Sequence, residues 1–248
     1  GIDDPFNEQQ DYFLSLLQER NVPFLDLRQE MLRDHINWDT AFYRTDHHWT
    51  VETAFWAWTK TLPVLADMVP GLREKQEFLT DINQYETAIV TNKWVGSMGR
   101  RIGSFYAGTE VLSYYRPRFK TNFKVTKLSA SGNPLSEKNG HFEQSIYNGW
   151  EAYGSCLPGT QSDIINEKGT GDVLLIGDSY AIPFCAYAAQ HLRRITHIDP
   201  RDFTGSLPLF LQKNRYDCVI VMLTPRVLYF ADPFVQQVRQ ELREVKPD

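Results

Sequence analysis

An apolar run, Asp172-Val173-Leu174-Leu175-Ile176, ends in Gly177-Asp178-Ser179-Tyr180 and gives way at once to a second apolar stretch, Ala181 to Leu192. A short run without polar alternation reads as a strand buried on both faces, and a strand that turns straight into a buried helix belongs to an α/β sheet. The rhythm continues downstream. Strands are expected near 172–177, at Ile195-Thr196-His197-Ile198-Asp199 and at Cys218-Val219-Ile220-Val221-Met222-Leu223, with linking helices near 181–192 and 206–214. Such crossovers predict a parallel sheet covered on both faces. At 248 residues, 42% of them hydrophobic, the chain is long enough to bury a full core.

The N-terminal part carries further helix and strand signals. Tyr12, Phe13, Leu16 and Leu17 recur at helical spacing over 7–19, and Val22-Pro23-Phe24-Leu25-Asp26-Leu27 is strand-like. A helix is expected from Val51 to about Leu65, with Thr50 as its N-cap and Glu52 in its first turn. The middle is different. Short β-like runs, Glu86-Thr87-Ala88-Ile89-Val90 and Phe142-Glu143-Gln144-Ser145-Ile146-Tyr147, lie between turn signals, and Ser129 to Gly140 reads as an exposed loop. The reading is one domain over residues 1–248, with an inserted subregion at 85–150 that holds a small antiparallel sheet.

Several classes fall away. The formal net charge is −5, and no Lys/Arg run exceeds the pairs Arg100-Arg101 and Arg193-Arg194, which argues against nucleic acid as a partner. No segment approaches the roughly 20 apolar residues of a membrane helix, and no charged leader precedes an apolar stretch. The opening Gly1-Ile2-Asp3-Asp4-Pro5 reads as a domain edge or cloning scar rather than a natural start. Cys156, Cys185 and Cys218 have no metal-ligand spacing, and Cys185 and Cys218 sit in apolar segments as small core residues.

The turn after the first of these strands places Ser179 where α/β sheets carry their chemistry. A serine hydroxyl is a poor nucleophile at neutral pH and needs an imidazole within hydrogen-bond reach, itself oriented by a carboxylate. Thr45-Asp46-His47-His48-Trp49-Thr50 supplies both. In an extended loop, residues two apart point the same way, so Asp46 can meet one nitrogen of His48 while the other faces Ser179, and His47 points elsewhere. An imidazole suits a base working near neutrality. Two other readings stand beside this one. Asp46 and the histidines could satisfy backbone donors at a helix start, or they could ligate Zn²⁺, although adjacent histidines share one ion less readily than histidines three or four apart. Asp178 is expected to organise the turn through backbone hydrogen bonds.

Aromatic residues make up 13% of the chain. Trp56 and Phe55 occupy core-like helix positions, whereas Trp94 and Trp150, in the irregular middle, are the better candidates for lining a groove.

Together, Thr45-Asp46-His47-His48-Trp49-Thr50 and Ile176-Gly177-Asp178-Ser179-Tyr180 resemble the DHHW family of the SGNH-hydrolase superfamily, which is related to the bacterial alginate O-acetyltransferases. The Asp-His element precedes the serine, the reverse of ordinary SGNH esterases. Gly96-Ser97-Met98-Gly99-Arg100-Arg101 and Ile198-Asp199-Pro200-Arg201-Asp202-Phe203 extend the resemblance over about residues 20–235. It implies a three-layer α/β/α fold with a central parallel sheet, and a triad of Ser179 as nucleophile, His48 as base and Asp46 as orienting acid. It further implies transfer of acetyl groups on an extracellular polysaccharide through an acetyl-enzyme, with no cofactor and no metal. A carbohydrate O-acetyl esterase and a non-catalytic polysaccharide-binding or assembly protein are the alternatives. For a transferase, the resemblance implies a membrane-bound partner that exports the acetyl group, and an extracytoplasmic setting with either a cleaved signal or a membrane anchor. The Ser179 amide is the first oxyanion donor expected, helped by the helix dipole. Gly96 and Asn148 are the further candidates, since other SGNH enzymes add a Gly and an Asn from separate loops. A tight turn is the competing reading of Gly96. Arg201 is either a substrate or oxyanion-side contact or a salt-bridge partner of Asp199 or Asp202.

Overall fold

The structure is a computed structural model that describes residues 5–140, 142, 161–224 and 232–244. Among the described residues, eight strands form two sheets. Strands β1 (Tyr85–Trp94) and β2 (Glu110–Pro117) pair by themselves. The other six are β3 (Phe123–Leu128), β4 (Pro134–Gly140), β5 (Ser162–Ile165), β6 (Asp172–Gly177), β7 (Arg194–Ile198) and β8 (Cys218–Met222), joined in the order β4-β3-β5-β7-β6-β8.

Strand β6 is buried at every residue and runs parallel to β7 on one side and β8 on the other. Its odd and even residues feed two different cores. Val173 and Leu175, with Ile195, pack under the helices Val51–Ala66 and Ala181–Ala188. Leu174, Ile176 and Ile198 face Phe203 and Phe210, with Leu207 and Phe234 from the helices Leu207–Lys213 and Asp232–Glu244 packed behind. Helices therefore cover both faces of this half of the sheet, as crossover connections require.

The sheet as a whole is mixed, which corrects the expectation of a central parallel sheet. Strands β3 and β4 are the two arms of a hairpin and must run antiparallel, and β5 pairs antiparallel with both β3 and β7. Only β1 and β2 form the separate antiparallel sheet expected in the middle region. The loop expected over Ser129–Gly140 is confined to its first residues, because β3 offers an open edge along which residues 134–140 form a ladder. That outer strand is exposed along nearly its whole length and carries Glu137 and Lys138, side chains that discourage further pairing at an edge.

Other local expectations divide in the same way. The helices at 7–19, 51–65, 181–192 and 206–214 appear as Pro5–Glu19, Val51–Ala66, Ala181–Ala188 and Leu207–Lys213. The strand expected at 22–27 does not form. Asp26 instead caps the helix Leu27–Arg33, accepting the Arg28 amide and binding the Arg28 guanidinium. Trp94 is buried against Tyr43, edge to face at 5.0 Å, and so is not a groove residue. Trp56 is half-buried and donates to Asp34. Cys185 is buried and Cys218 half-buried. Trp150, Cys156 and all but the first residue of the run 142–147 lie outside the described residues.

The Val51–Ala66 helix starts at Thr50, whose side chain accepts the Thr53 amide. Its Trp58 is fully buried, donates Nε1–H to His191 Nδ1 at 3.0 Å and meets Phe184 edge to face at 5.3 Å. This contact joins the helix that follows the Asp46–His48 loop to the one that follows the Ser179 turn. Among the described residues no helix is long and apolar enough to cross a membrane. Phe184→Ala removes the ring at the centre of this contact and is expected to cost about 3–5 kcal/mol, read as a lowered urea midpoint with an unchanged slope.

Candidate active site

The nucleophile candidate sits in a turn that is tied down on both sides. Asp178 is buried, and its Oδ1 accepts the Tyr180 amide at 3.0 Å. Its Oδ2 accepts both the amide and the hydroxyl of Thr224, just beyond β8, at 2.9 and 2.8 Å. The Ala181 amide returns to the Asp178 carbonyl and the Ile182 amide to that of Ser179, which starts the Ala181–Ala188 helix. Ser179 is left half-buried at the carboxyl end of β6.

The Asp-His segment arrives from the other end of the chain. It is a narrow loop closed by a bridge between Phe42 and Trp49, with the Tyr43 amide donating to the His48 carbonyl and the Thr50 amide to that of Ala41. The Glu110 carboxylate accepts the Arg44 and Thr45 amides, at 2.8 and 2.6 Å, and the Thr45 hydroxyl. Thr45 is held from below as well. Its Oγ1 accepts the Gly96 amide at 2.9 Å and its carbonyl the Gly99 amide at 2.9 Å. The Ser97 amide then donates to Asp46 Oδ2 at 2.6 Å.

These supports bring three side chains into line. Asp46 Oδ1 is 2.5 Å from His48 Nδ1 and also accepts the His48 amide, while His48 Nε2 is 2.7 Å from Ser179 Oγ. Asp46 and His48 are buried. The two loops are cross-tied by Tyr180, whose hydroxyl donates to the His47 carbonyl and whose own carbonyl accepts Trp49 Nε1–H at 3.1 Å. An imidazole bridging a carboxylate and a serine hydroxyl can take the hydroxyl proton while the carboxylate steadies the resulting charge.

The electrostatics keep Asp46 ionised. Burial favours its neutral form, but hydrogen bonds from His48 and Ser97 outweigh burial and hold the carboxyl well below the usual carboxylate range. The Tyr180 hydroxyl is pushed far up by burial and by the charges of Asp178 and Asp46, so it stays protonated as a donor.

The remaining expected residues are placed as follows. His47 is exposed, its ring tilted against that of His48 at 4.0 Å between centroids and its Nδ1 3.3 Å from Ser97 Oγ. Gly96 is buried, and its amide is taken by Thr45, which removes it as an oxyanion donor. Its lack of a side chain is what matters, because a Cβ there would lie 2.4 Å from both Asp46 Cβ and the Thr45 carbonyl oxygen. Arg201 is committed to Asp199 through Nε at 2.9 Å and Nη2 at 2.5 Å, so the salt-bridge reading is the one realised. Asn148 lies outside the described residues. Among the described residues the Ser179 amide has no hydrogen-bond partner and remains the first oxyanion candidate.

Ligand atoms of Asp46, His47 and His48 lie within 4.8 Å of one another, the one such group among the described residues. A cation there would have to displace Ser97 and His48 from the Asp46 oxygens, and Asp46 from His48 Nδ1. Sequence reasoning passed over Glu110, Ser97, Tyr180 and Thr224. Ser97 and Tyr180 lie within motifs that it singled out, whereas Glu110 and Thr224 carry no local signal.

Comparison with known proteins agrees with the resemblance read from the two motifs. Residues 3–103 match the family model described as the SGNH hydrolase-like domain of the acetyltransferase AlgX. Among solved structures, the fold is similar to a DHHW family protein from Eubacterium siraeum (19% identity, TM-score 0.58), over 75% of this chain and 59% of that one. It is also similar to PatB1 from Bacillus cereus (19% identity, TM-score 0.70), over 91% of this chain and 76% of that one. A second PatB1 structure, with a sulfonyl adduct, aligns at 18% identity and a TM-score of 0.66, over 91% and 73% of the two chains. The chain thus spans about three fifths of the DHHW protein's length. No curated protein sequence matches it. The likeness is to an SGNH-type acetyltransferase family.

Gly96→Ala is expected to push the Thr45–Asp46 backbone away, misplace His48 and lower kcat/KM for an activated acetyl ester by about 10²-fold. The same site predicts a pH dependence of stability. Folded Asp46 binds its proton less tightly than the unfolded chain does, so its contribution is complete above the unfolded carboxylate pKa of about 3.9 and fades as pH falls through the folded value. The urea-unfolding difference between wild type and Asp46→Asn should be constant from pH 5 to 7 and shrink below about pH 4.

Proposed function

We propose that this chain is a serine-dependent O-acetyltransferase acting on an extracellular polysaccharide, with Ser179 as nucleophile, His48 as general base and Asp46 as its orienting acid. The observation that carries the proposal is the continuous line from Asp46 Oδ1 through His48 to Ser179 Oγ, with contacts of 2.5 and 2.7 Å. The likeness to an acetyltransferase family supports it. So does the sulfonyl adduct of the PatB1 structure, the kind of product that a sulfonyl reagent leaves on a nucleophilic side chain.

The reaction runs in two halves. His48 Nε2 takes the Ser179 hydroxyl proton as Oγ attacks the acetyl carbonyl of a donor ester. The oxyanion that forms faces the Ser179 amide, whose N–H is worth roughly 3–4 kcal/mol if aimed at the developing charge. The tetrahedral intermediate collapses, His48 returns its proton to the departing donor alcohol, and acetyl-Ser179 remains. A sugar hydroxyl then gives its proton to His48 and attacks the acetyl carbonyl; the bond to Ser179 Oγ breaks as His48 returns that proton to Oγ, releasing the O-acetylated sugar and restoring Ser179.

Water in place of the sugar turns the same machinery into an esterase, so the acceptor site decides between the two. A non-catalytic binding protein would have no use for a buried carboxylate held ionised behind an imidazole. The proposal extends to an extracytoplasmic location and a membrane-bound partner that delivers acetyl groups from inside the cell, as the resemblance to the alginate O-acetyltransferases implies.

The test is p-nitrophenyl acetate turnover by wild type, Ser179→Ala and Asp46→Asn, with short polysaccharides as acceptors. Ser179→Ala should abolish turnover, Asp46→Asn should lower kcat by about 10³–10⁴-fold, and EDTA should leave the wild type unaffected. Acetylated sugar in the product identifies the transferase and free acetate alone the esterase. Equal rates for wild type and Ser179→Ala overturn the assignment of the nucleophile.

A further inference from the structure

The helix Ser97–Ile102, whose first amide holds Asp46, is followed by a second short helix, Ser104–Ala107, and the chain turns between them at Gly103 with φ +87°. The outside of this elbow is apolar and uncovered. Phe105 is 90% exposed, Tyr106 81%, Ile102 63% and Met98 43%. Single exposed apolar residues are ordinary, but four within nine positions make a patch that marks an interaction surface. The Phe105 and Tyr106 rings meet edge to face at 5.3 Å, so the tip is organised although no core lies beneath it.

The charge around the tip is distinctive. The chain carries a formal charge of −5, yet no Asp or Glu occurs from Trp94 to Thr109, and that stretch contains the exposed pair Arg100-Arg101. An apolar tip beside guanidinium groups suits a lipid surface, where aliphatic and aromatic side chains enter the acyl boundary and arginines reach the phosphates. It suits a glycan less well. Sugars stacked on aromatic rings are also held by carboxylate and amide side chains on their hydroxyls, and the same sixteen-residue stretch holds no Asp, Glu, Asn or Gln.

We propose that the elbow Ser97–Ala107 docks on the surface of a bilayer that carries anionic headgroups. Because its first turn grips Asp46 and its Gly99 amide the Thr45 carbonyl, docking sets the orientation of the Asp46–His48–Ser179 site relative to the membrane. The proposal does not depend on what reaction that site performs.

The experiment is co-flotation of the whole chain with vesicles of phosphatidylcholine alone or with phosphatidylglycerol added. Wild type should float with the phosphatidylglycerol vesicles, and less as salt is raised. Phe105→Ser combined with Tyr106→Ser should reduce partition at least about tenfold. Arg100→Gln combined with Arg101→Gln should erase the preference for phosphatidylglycerol, several-fold per charge. Phe105→Trp should float like wild type, with its added fluorescence shifted to the blue and quenched by brominated acyl chains. Circular dichroism and the thermal midpoint verify that each variant folds. Absence of wild type from the floated fraction overturns the proposal. So does flotation of the Phe105/Tyr106 variant at the wild-type level.

Discussion

A carboxylate withdrawn from water costs several kcal/mol unless its oxygens are filled with donors, and the site is organised around meeting that demand for Asp46. One oxygen receives the His48 amide and ring, the other the Ser97 amide. The donors come from two segments about fifty residues apart, so satisfying the charge brings the segments together. The approach is close enough that position 96 has no room for a Cβ, and Thr45 and Glu110 complete the clasp behind it. The imidazole is fixed by these same bonds. Its other nitrogen is thereby aimed at Ser179.

A second set of ties holds the nucleophile turn against this loop. Tyr180, next to Ser179, binds the backbone of His47 and accepts from Trp49, so the two motifs are linked by two hydrogen bonds that bypass the reacting atoms. Asp178 performs the corresponding task toward the sheet, joining the end of β6 to the residues that follow β8. The candidate site therefore draws on five stretches of chain and sits at the carboxyl ends of the parallel strands, where backbone amides at the start of a helix are free to meet a developing negative charge.

What could be read without tertiary information were the segments whose character is set locally. The continuous apolar run of β6, the capped helix at Thr50 and the Asp-Ser turn each carry their signal within a few residues. Readings failed where a neighbour decided the outcome. Residues 134–140 look like a loop and become a strand because β3 presents unpaired backbone groups to them. Residues 22–27 look like a strand, yet Asp26 finds a better use as a helix cap. Trp94 lies in an irregular stretch, and its ring is claimed by the core through Tyr43. The expected parallel sheet is real around β6, but the antiparallel strands β3, β4 and β5 extend it, and strand direction across a sheet is not written in any one strand's periodicity.

By itself, the amino-acid order determined the identity of the chemical groups and their immediate setting: a serine after a buried strand, a carboxylate and an imidazole two apart in a narrow loop, and a hydrophobic pattern that demands an α/β core. Only the tertiary structure decided that these groups meet, that Glu110, Ser97 and Tyr180 hold them, that Gly96 serves by its size rather than its amide, and that Arg201 is spent on Asp199. The physical reason is range. Periodicity, caps and turns act over a few residues, whereas a hydrogen bond between side chains 131 positions apart exists only after burial of the core has set the segments side by side.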